Sequence, residues 1–422
     1  MIDIQFIREN SREVIRRLKV RNMDAAGLVE RVAEADTERR QMQKQLDDTL
    51  AESKVLARRI GELFKSGKGK EAEDLKQEST RLKQQAKSLQ ERLDGVSYEL
   101  NELMTRLPNL PHPSVPFGNT EADNEIVREE GEAEAASPDA LPHWELSKKL
   151  GIIDFEAGTK ITGAGFPVYK GKGARLQRAL IAFFLDEAEK AGYTEIQPPL
   201  MVNADSAYGT GQLPDKDGQM YHVQSDDLYL IPTSEIPVTN LFRDTIQKED
   251  ELPLKCTAYS VCFRREAGSY GKDVRGLNRL HQFDKVEIVQ VTHPEKSYQA
   301  LDEMVDHVAA LLKKLELPFR VARLCGGDLG FAAALTFDLE VWSGAQGRWL
   351  EVSSVSNFET YQSHRLKLRY RSTEGKNLLA HTLNGSALAL PRIMAALLEN
   401  KQDQGGVIIP EVLHPYTGFD RI

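Results

Sequence analysis

At 422 residues, 41% apolar and 28% charged, the chain is long enough for two or three domains that each bury a core. It lacks an apolar run of about 18 residues and a signal-type N-terminus, which excludes a membrane-spanning helix and makes a cytoplasmic protein with no membrane partner the expectation. The net charge of −9 argues against a polyanionic partner, but residues 1–107 hold 22 Lys or Arg against 20 Asp or Glu and the rest 33 against 44, so a near-neutral extension could still carry nucleic-acid binding.

Residues 1–27 read as a short helix and turn with an apolar stripe of Ile4, Ile7, Val14, Ile15 and Leu18. From Leu28 the periodicity is heptad-like, with Val32, Ala35, Arg39, Met42, Leu46, Thr49, Ser53, Leu56, Ile60 and Leu63 on one seam. After the break Ser66-Gly67-Lys68-Gly69-Lys70 it resumes at Ala72, Leu75, Ser79, Leu82, Ala86, Leu89, Leu93, Val96, Leu100, Leu103 and Leu107. Two long helices joined by so short a turn must pair antiparallel. The hairpin is either a spacer or dimerising coiled coil, or a device for reaching a large partner.

Pro108, Pro111, Pro113 and Pro116 stop the second helix, and the acidic stretch Glu121–Glu134 reads as a linker with short strands near Ile126. The expected domains are therefore 1–107, a helical arm; 108–165, a linker and entrance to the core; and 166–422, the main domain. In the last, Ala174–Ala191 is an amphipathic helix closed by Gly192, followed by a short strand carrying Pro198 and Pro199. Thr233 and Glu235 would share a strand face; a helix is expected over about 296–315, strands over 337–342 and 348–354, and a helix over about 391–400, for which Pro391 is a suitable start. Strands outnumber crossover helices. The expected fold class is α+β, an antiparallel sheet with flanking helices plus the helical hairpin.

Cys262–Glu287 reads as a strand running into Arg264, Arg265 and Glu266, a long loop and a returning strand. Alternation puts His281, Phe283, Lys285, Glu287 and Val289 on one face. Phe283 and Glu287 are then about 13 Å apart along that face, a spacing that suits the two ends of an elongated ligand, although a solvated surface hairpin has the same pattern. Cys256, Cys262 and Cys325 form no C-x-x-C pair and have no His at ligand spacing, so neither a disulfide framework nor a structural zinc is expected. There is no P-loop, and Gly171-Lys172-Gly173 lacks the rest of a dinucleotide fingerprint.

Three segments in this order resemble the signature motifs of class II aminoacyl-tRNA synthetases: the helix ending in Gly192-Tyr-x-x-Ile-x-x-Pro199, then Phe263-Arg264-x-Glu266 with Phe283, then Gly385–Arg392. With the N-terminal hairpin, Thr233–Glu235, Glu351–Phe358 and Thr382–Ser386, the whole chain is similar to the seryl-tRNA synthetases of bacterial and eukaryotic type. The resemblance implies ATP-dependent ligation of L-serine to serine tRNA through a seryl-adenylate, with selenocysteine tRNA left open as a further acceptor.

By residue, the resemblance implies that Arg264 bridges the serine carboxylate and the α-phosphate, with Arg392 on the other side of the nucleotide. Arg265, Glu266, Phe283, Glu351, Val352, Ser353 and Ser354 would complete the ATP site, Phe283 stacking on adenine and Glu266 accepting from its amino group. Thr233, Ser234, Glu235, Glu287, Asn384 and Ser386 would hold serine. Glu351 and Ser354 would hold Mg²⁺, although strict alternation would pair Glu351 with Ser353 instead. It further implies a homodimer whose arm, residues 28–107, grips the long variable arm of serine tRNA. Which of Arg39, Arg40, Arg58, Arg59, Lys83 and Lys87 touch RNA is not legible. The loop Ala267–Leu277 is expected to order on ATP or tRNA binding. An adenylate-forming enzyme with another acceptor, or a non-catalytic RNA-binding relative, are the other readings; the presence of Arg264, Glu266, Glu287 and Arg392 disfavours the second.

Overall fold

The computed structural model describes residues 1–133, 140–215, 218–266 and 275–422. The chain forms two compact units, one of residues 2–19 and 23–108, the other of residues 1, 20–22 and 109–422.

In the first unit, Asp3 caps α1 (Ile4–Glu9) by accepting the Phe6 N–H at 3.0 Å. There follow α2 (Ser11–Leu18) and the two long helices α3 (Ala26–Lys65) and α4 (Gly69–Thr105). Every heptad position named above is buried or half-buried. Met42 and Leu46 of α3 pack with Ala86, Leu89 and Leu93 of α4, so the expected seam is the observed one. Near the root, the buried Asp36 accepts from Arg8 Nη1 at 2.6 Å and Arg39 Nη2 at 2.8 Å. Arg39 is thus engaged in the protein's own structure.

The second unit is built on an eight-stranded sheet. Its strands are β1 (Glu125–Glu130), β2 (Thr194–Glu195), β3 (Leu254–Phe263), β4 (Gln282–Thr292), β5 (Phe319–Arg323), β6 (Leu335–Ser343), β7 (Arg348–Glu359) and β8 (His381–Ala389). Their order is β1-β5-β6-β7-β8-β4-β3-β2. All neighbours are antiparallel except β2 and β3, which are parallel. The helices that concern the site are α5 (His143–Leu150), α6 (Lys172–Lys190), α7 (Glu235–Asn240), α8 (Ser297–Lys314), α9 (Tyr361–Leu366) and α10 (Leu390–Asn400).

One face of the sheet carries the core. Leu176, Leu180 and Phe183 of α6, Met304, Val308 and Leu312 of α8, and Ile393, Met394 and Leu397 of α10 join Val286, Ile288, Val355 and Leu383 there. Each such side chain contributes roughly 1.5–3 kcal/mol through burial. Gly385 of β8 faces Val355 of β7, where an added Cβ would lie 3.0 Å from a Val355 methyl; glycine lets the two central strands pack this closely.

Two local expectations are corrected. Pro198 and Pro199 lie in no strand: β2 ends before them and a two-residue strand, Met201–Val202, follows them, since neither proline can donate to a ladder. Thr233 and Glu235 do not share a strand face. The strand ends at Leu230, Ser234 is already in helical conformation (φ −71°, ψ −8°) and Glu235 is the first residue of α7. No helix among the described residues is long and apolar enough to cross a membrane.

Candidate active site

The opposite face of the sheet floors a cavity of about 570 Å³. Alternation along β4 delivers Phe283, Lys285 and Glu287 to it, and along β8 Asn384 and Ser386. On β7, simple alternation fails. Leu339 of β6 faces Ser353, but Glu340 faces Glu351, so β7 carries one extra residue. This bulge brings Glu351, Ser354 and Ser356 to the cavity. Ser353 is instead buried, its hydroxyl donating to the Ser386 carbonyl at 2.5 Å. The expectation that alternation would pair Glu351 with Ser353 is thereby corrected.

One end of the cavity is a dense polar cluster. Glu287, buried, accepts from Asn384 Nδ2 at 2.8 Å and from Thr233 Oγ1 at 3.1 Å, and is ion-paired with Lys285. Lys285 Nζ also donates to Thr233 Oγ1 at 2.9 Å. Glu235 accepts from Gln362 Nε2 of α9 at 2.7 Å, and Thr382 Oγ1 donates to Gln362 Oε1 at 2.7 Å. Burial, reinforced by the Glu287 charge, pushes the Glu235 carboxyl up to about 7. This end offers an acceptor carboxylate held by amide and hydroxyl donors, and a second carboxylate short of positive charge. Together they can take an ammonium and a hydroxyl.

Arg264 leads out of this end. Its backbone N–H donates to His281 O at 2.9 Å, and its guanidinium stands 5.2 Å from the Phe283 ring centroid. Glu266 adopts a left-handed φ of +48° and accepts from Arg279 Nε at 2.5 Å; a non-glycine residue held there is strained. Pro391 stands in the first turn of α10, as expected, and the next residue, Arg392, donates through Nη1 to Glu351 O at 2.6 Å and through Nε to Asn278 O at 3.2 Å. Across from Ser354, on β6, Asp338 Oδ1 is buried without a hydrogen-bond partner. Burial and then the Glu351 charge raise its carboxyl well above the usual range.

The cavity thus gathers Thr233, Glu235, Arg264, Glu266, Phe283, Glu287, Glu351, Val352, Ser354, Asn384, Ser386 and Arg392. Three of the expected residues lie apart: Ser353 as above, the buried Ser234, whose hydroxyl donates to Ala258 O at 3.4 Å, and the exposed Arg265. Lys285, Asn278 and Arg279 line the cavity without having been singled out. Lys285 was legible as a member of the Phe283–Glu287 face; Gln362, on a separate helix, carried no sequence signal. Of the loop Ala267–Leu277, residues 267–274 lie outside the described residues.

The family model for the seryl-tRNA synthetase N-terminal domain matches residues 1–111, and that for the tRNA synthetase class II core domain (G, H, P, S and T) matches residues 221–401. A serine–tRNA ligase of Salinibacter ruber is 51% identical over 424 residues, covering 100% of this chain and 99% of that protein. The crystal structure of seryl-tRNA synthetase from Pyrococcus horikoshii complexed with ATP superposes with a TM-score of 0.92 at 35% identity, covering 100% of this chain and 99% of that one. The cytoplasmic serine–tRNA ligase of Naegleria fowleri in complex with AMP gives 0.86 at 32%, covering 100% and 98%. With both halves matched and full-length relatives at this identity, the chain belongs to the seryl-tRNA synthetase family, the serine–tRNA ligases of class II.

Proposed function

We propose that the cavity binds L-serine and ATP, joins them as seryl-adenylate and passes the seryl group to serine tRNA. The observation that carries this reading is the position of Arg264, which lies over the Phe283 ring and lines the same cavity as Glu235 and Glu287. A single guanidinium within reach of both ends suits the junction of an amino acid and a nucleotide. The ATP and AMP complexes of the two structural relatives support a nucleotide here.

In this reading, Glu235 and Thr233 take the serine ammonium, and Glu287 with Asn384 takes the hydroxyl. Alanine would leave Glu287 without its partner, and threonine is excluded by size. Phe283 and Arg392 flank the base, and Glu266 reads its amino group. The serine carboxylate attacks the α-phosphorus in line, the bond to the bridging oxygen breaks and pyrophosphate leaves. A ribose hydroxyl of the tRNA terminus then attacks the acyl carbon and AMP departs. Positioning and charge neutralisation by Arg264 and Arg392 carry the first step without a side-chain nucleophile.

Glu351 and Ser354 fit Mg²⁺. The bulge puts a carboxylate and a hydroxyl on one side, Asp338 across from Ser354 keeps one oxygen without a partner, and a hard cation held there would take its remaining ligands from phosphates and water. When bound, it would offset charge on the phosphates. No group of three or more His, Cys, Asp or Glu among the described residues is placed to hold a metal. The hairpin would grip the long variable arm of serine tRNA by shape and backbone contacts, in a homodimer whose arm serves the partner's tRNA. Selenocysteine tRNA is the second acceptor to assay.

The test is ATP–pyrophosphate exchange over a panel of amino acids. Exchange with serine alone is expected, falling at least about a hundredfold in Arg264→Ala; near-normal exchange in that variant would refute the assignment.

A further inference from the structure

Behind the cavity wall formed by Leu277 and Asn278 lies a buried polar cluster that the chemistry above does not use. His143, the first residue of α5, and Glu399, near the end of α10, are both buried. Glu399 Oε1 accepts the His143 backbone N–H at 3.0 Å, lies 2.6 Å from His143 Nδ1 and accepts from Gln346 Nε2 at 3.0 Å, while Ser343 Oγ donates to Oε2. The other ring nitrogen, His143 Nε2, accepts the backbone N–H of Leu277 at 2.8 Å. A nitrogen that accepts carries no proton, so the ring proton sits on Nδ1, directed at Glu399.

A second observation converges on the same contact. Gly276 has a φ of +65°, and a Cβ there would lie 2.2 Å from His143 Nε2 and 3.1 Å from a ring carbon of Trp144. The His143 ring occupies the space a side chain would need. The Arg275 guanidinium lies 5.3 Å from the Trp144 ring centroid. His143 and Trp144 therefore grip residues 275–277 immediately before Asn278, whose carbonyl accepts Arg392 Nε and whose Nδ2 donates to Gln346 Oε1 at 2.9 Å. Helix α10 holds this stretch twice, through Arg392 in its first turn and through Glu399 and His143 near its end.

We propose that His143 is a positioning residue for the nucleotide half of the site: by fixing the Leu277 N–H it sets the place of Asn278, and through the Asn278 carbonyl that of Arg392. The proposal rests on the reading of the cavity as a serine and ATP site. Its test is the KM for ATP and for serine in pyrophosphate exchange. His143→Asn retains a donor toward Glu399 but has no acceptor in reach of Leu277, whereas His143→Gln can place a carbonyl where Nε2 stands. His143→Asn should raise the KM for ATP about tenfold, the loss of one buried hydrogen bond, with the KM for serine within about twofold, and His143→Gln should recover most of it. A fall in kcat with both KM values unchanged would mean that His143 merely supports folding, and would overturn the proposal. Should His143→Asn not fold, Gly276→Ala displaces the same ring without touching Glu399; an ATP-specific effect supports the proposal and unchanged KM values for both substrates overturn it. Arg264→Ala, run alongside, separates the two readings. If its exchange is lost while the His143 and Gly276 variants behave as wild type, the positioning role fails and the site assignment stands.

Discussion

At Glu235 a carboxylate sits where burial and the neighbouring Glu287 both oppose its charge, which is why its pKa is pushed up to about 7. The sign of the consequence follows from linkage. With the native value above that of the unfolded chain, the stability associated with this group is full at low pH and is lost as pH rises through about 7. Above neutrality the ligand-free protein therefore holds a strained anion, costing on the order of 3 kcal/mol. Glu235→Gln is expected to be more stable than the parent to urea at pH 8, with the gap closing toward pH 5, and to lose serine-dependent exchange. A gap that does not change with pH would place its origin elsewhere. The same residue shows what a sequence can convey. Glu235 and Thr233 were singled out through the resemblance of Thr233–Glu235 to a family segment, but their geometry was misjudged, since nothing in the local composition marks Ser234 as helical. Gln362, which donates to Glu235, was illegible because a lone glutamine on a short helix has no spacing that ties it to residues far away in the chain.

Among elements, those with a strict period were readable and those that break it were not. The α3–α4 seam obeys the heptad at every position, including the polar Arg39, Thr49, Ser53 and Ser79, because a coiled pair admits one repeat throughout. The face of β4 likewise follows the period of two. The β7 bulge cannot be read in this way, since an inserted residue has no composition of its own; the resemblance singled out Glu351 and Ser354, which line the cavity, together with Ser353, which does not. The root of the hairpin also depends on an element-level contact. Burial alone would raise the Asp36 pKa, but hydrogen bonds from Arg39 and Arg8 outweigh it and hold it below the usual carboxylate value. A lowered native pKa contributes stability above the unfolded value that is lost as pH falls. Asp36→Asn should cost about 1–3 kcal/mol at pH 7, less than the roughly 3–5 kcal/mol of a fully buried broken pair because the arginines can regain water. Thermal unfolding should show the deficit shrink at pH 3; an undiminished deficit would rule out the ion pair as its source.

For the molecule as a whole, division of labour between the two units is the testable expectation. Replacing residues 47–85 with a short Gly-Ser turn keeps the packing of Met42 and Leu46 against Ala86, Leu89 and Leu93. It should leave serine-dependent pyrophosphate exchange within about twofold while abolishing aminoacylation of serine tRNA. Equal loss of both activities would contradict the division. The hairpin has a further property, set by how its seam is graded. Positions Met42, Leu46, Leu82, Ala86, Leu89 and Leu93 are buried, whereas Ser53, Leu56, Ile60, Leu63, Leu75 and Ser79 nearer the turn are only half-covered, the small Ala72 being the buried exception there. Backbone amides in the outer turns should therefore exchange with solvent much sooner than those at the root, since opening them uncovers less apolar surface. The outer turns can then fray and re-form against a ligand surface at small free-energy cost, while the inner turns keep the two helices in register.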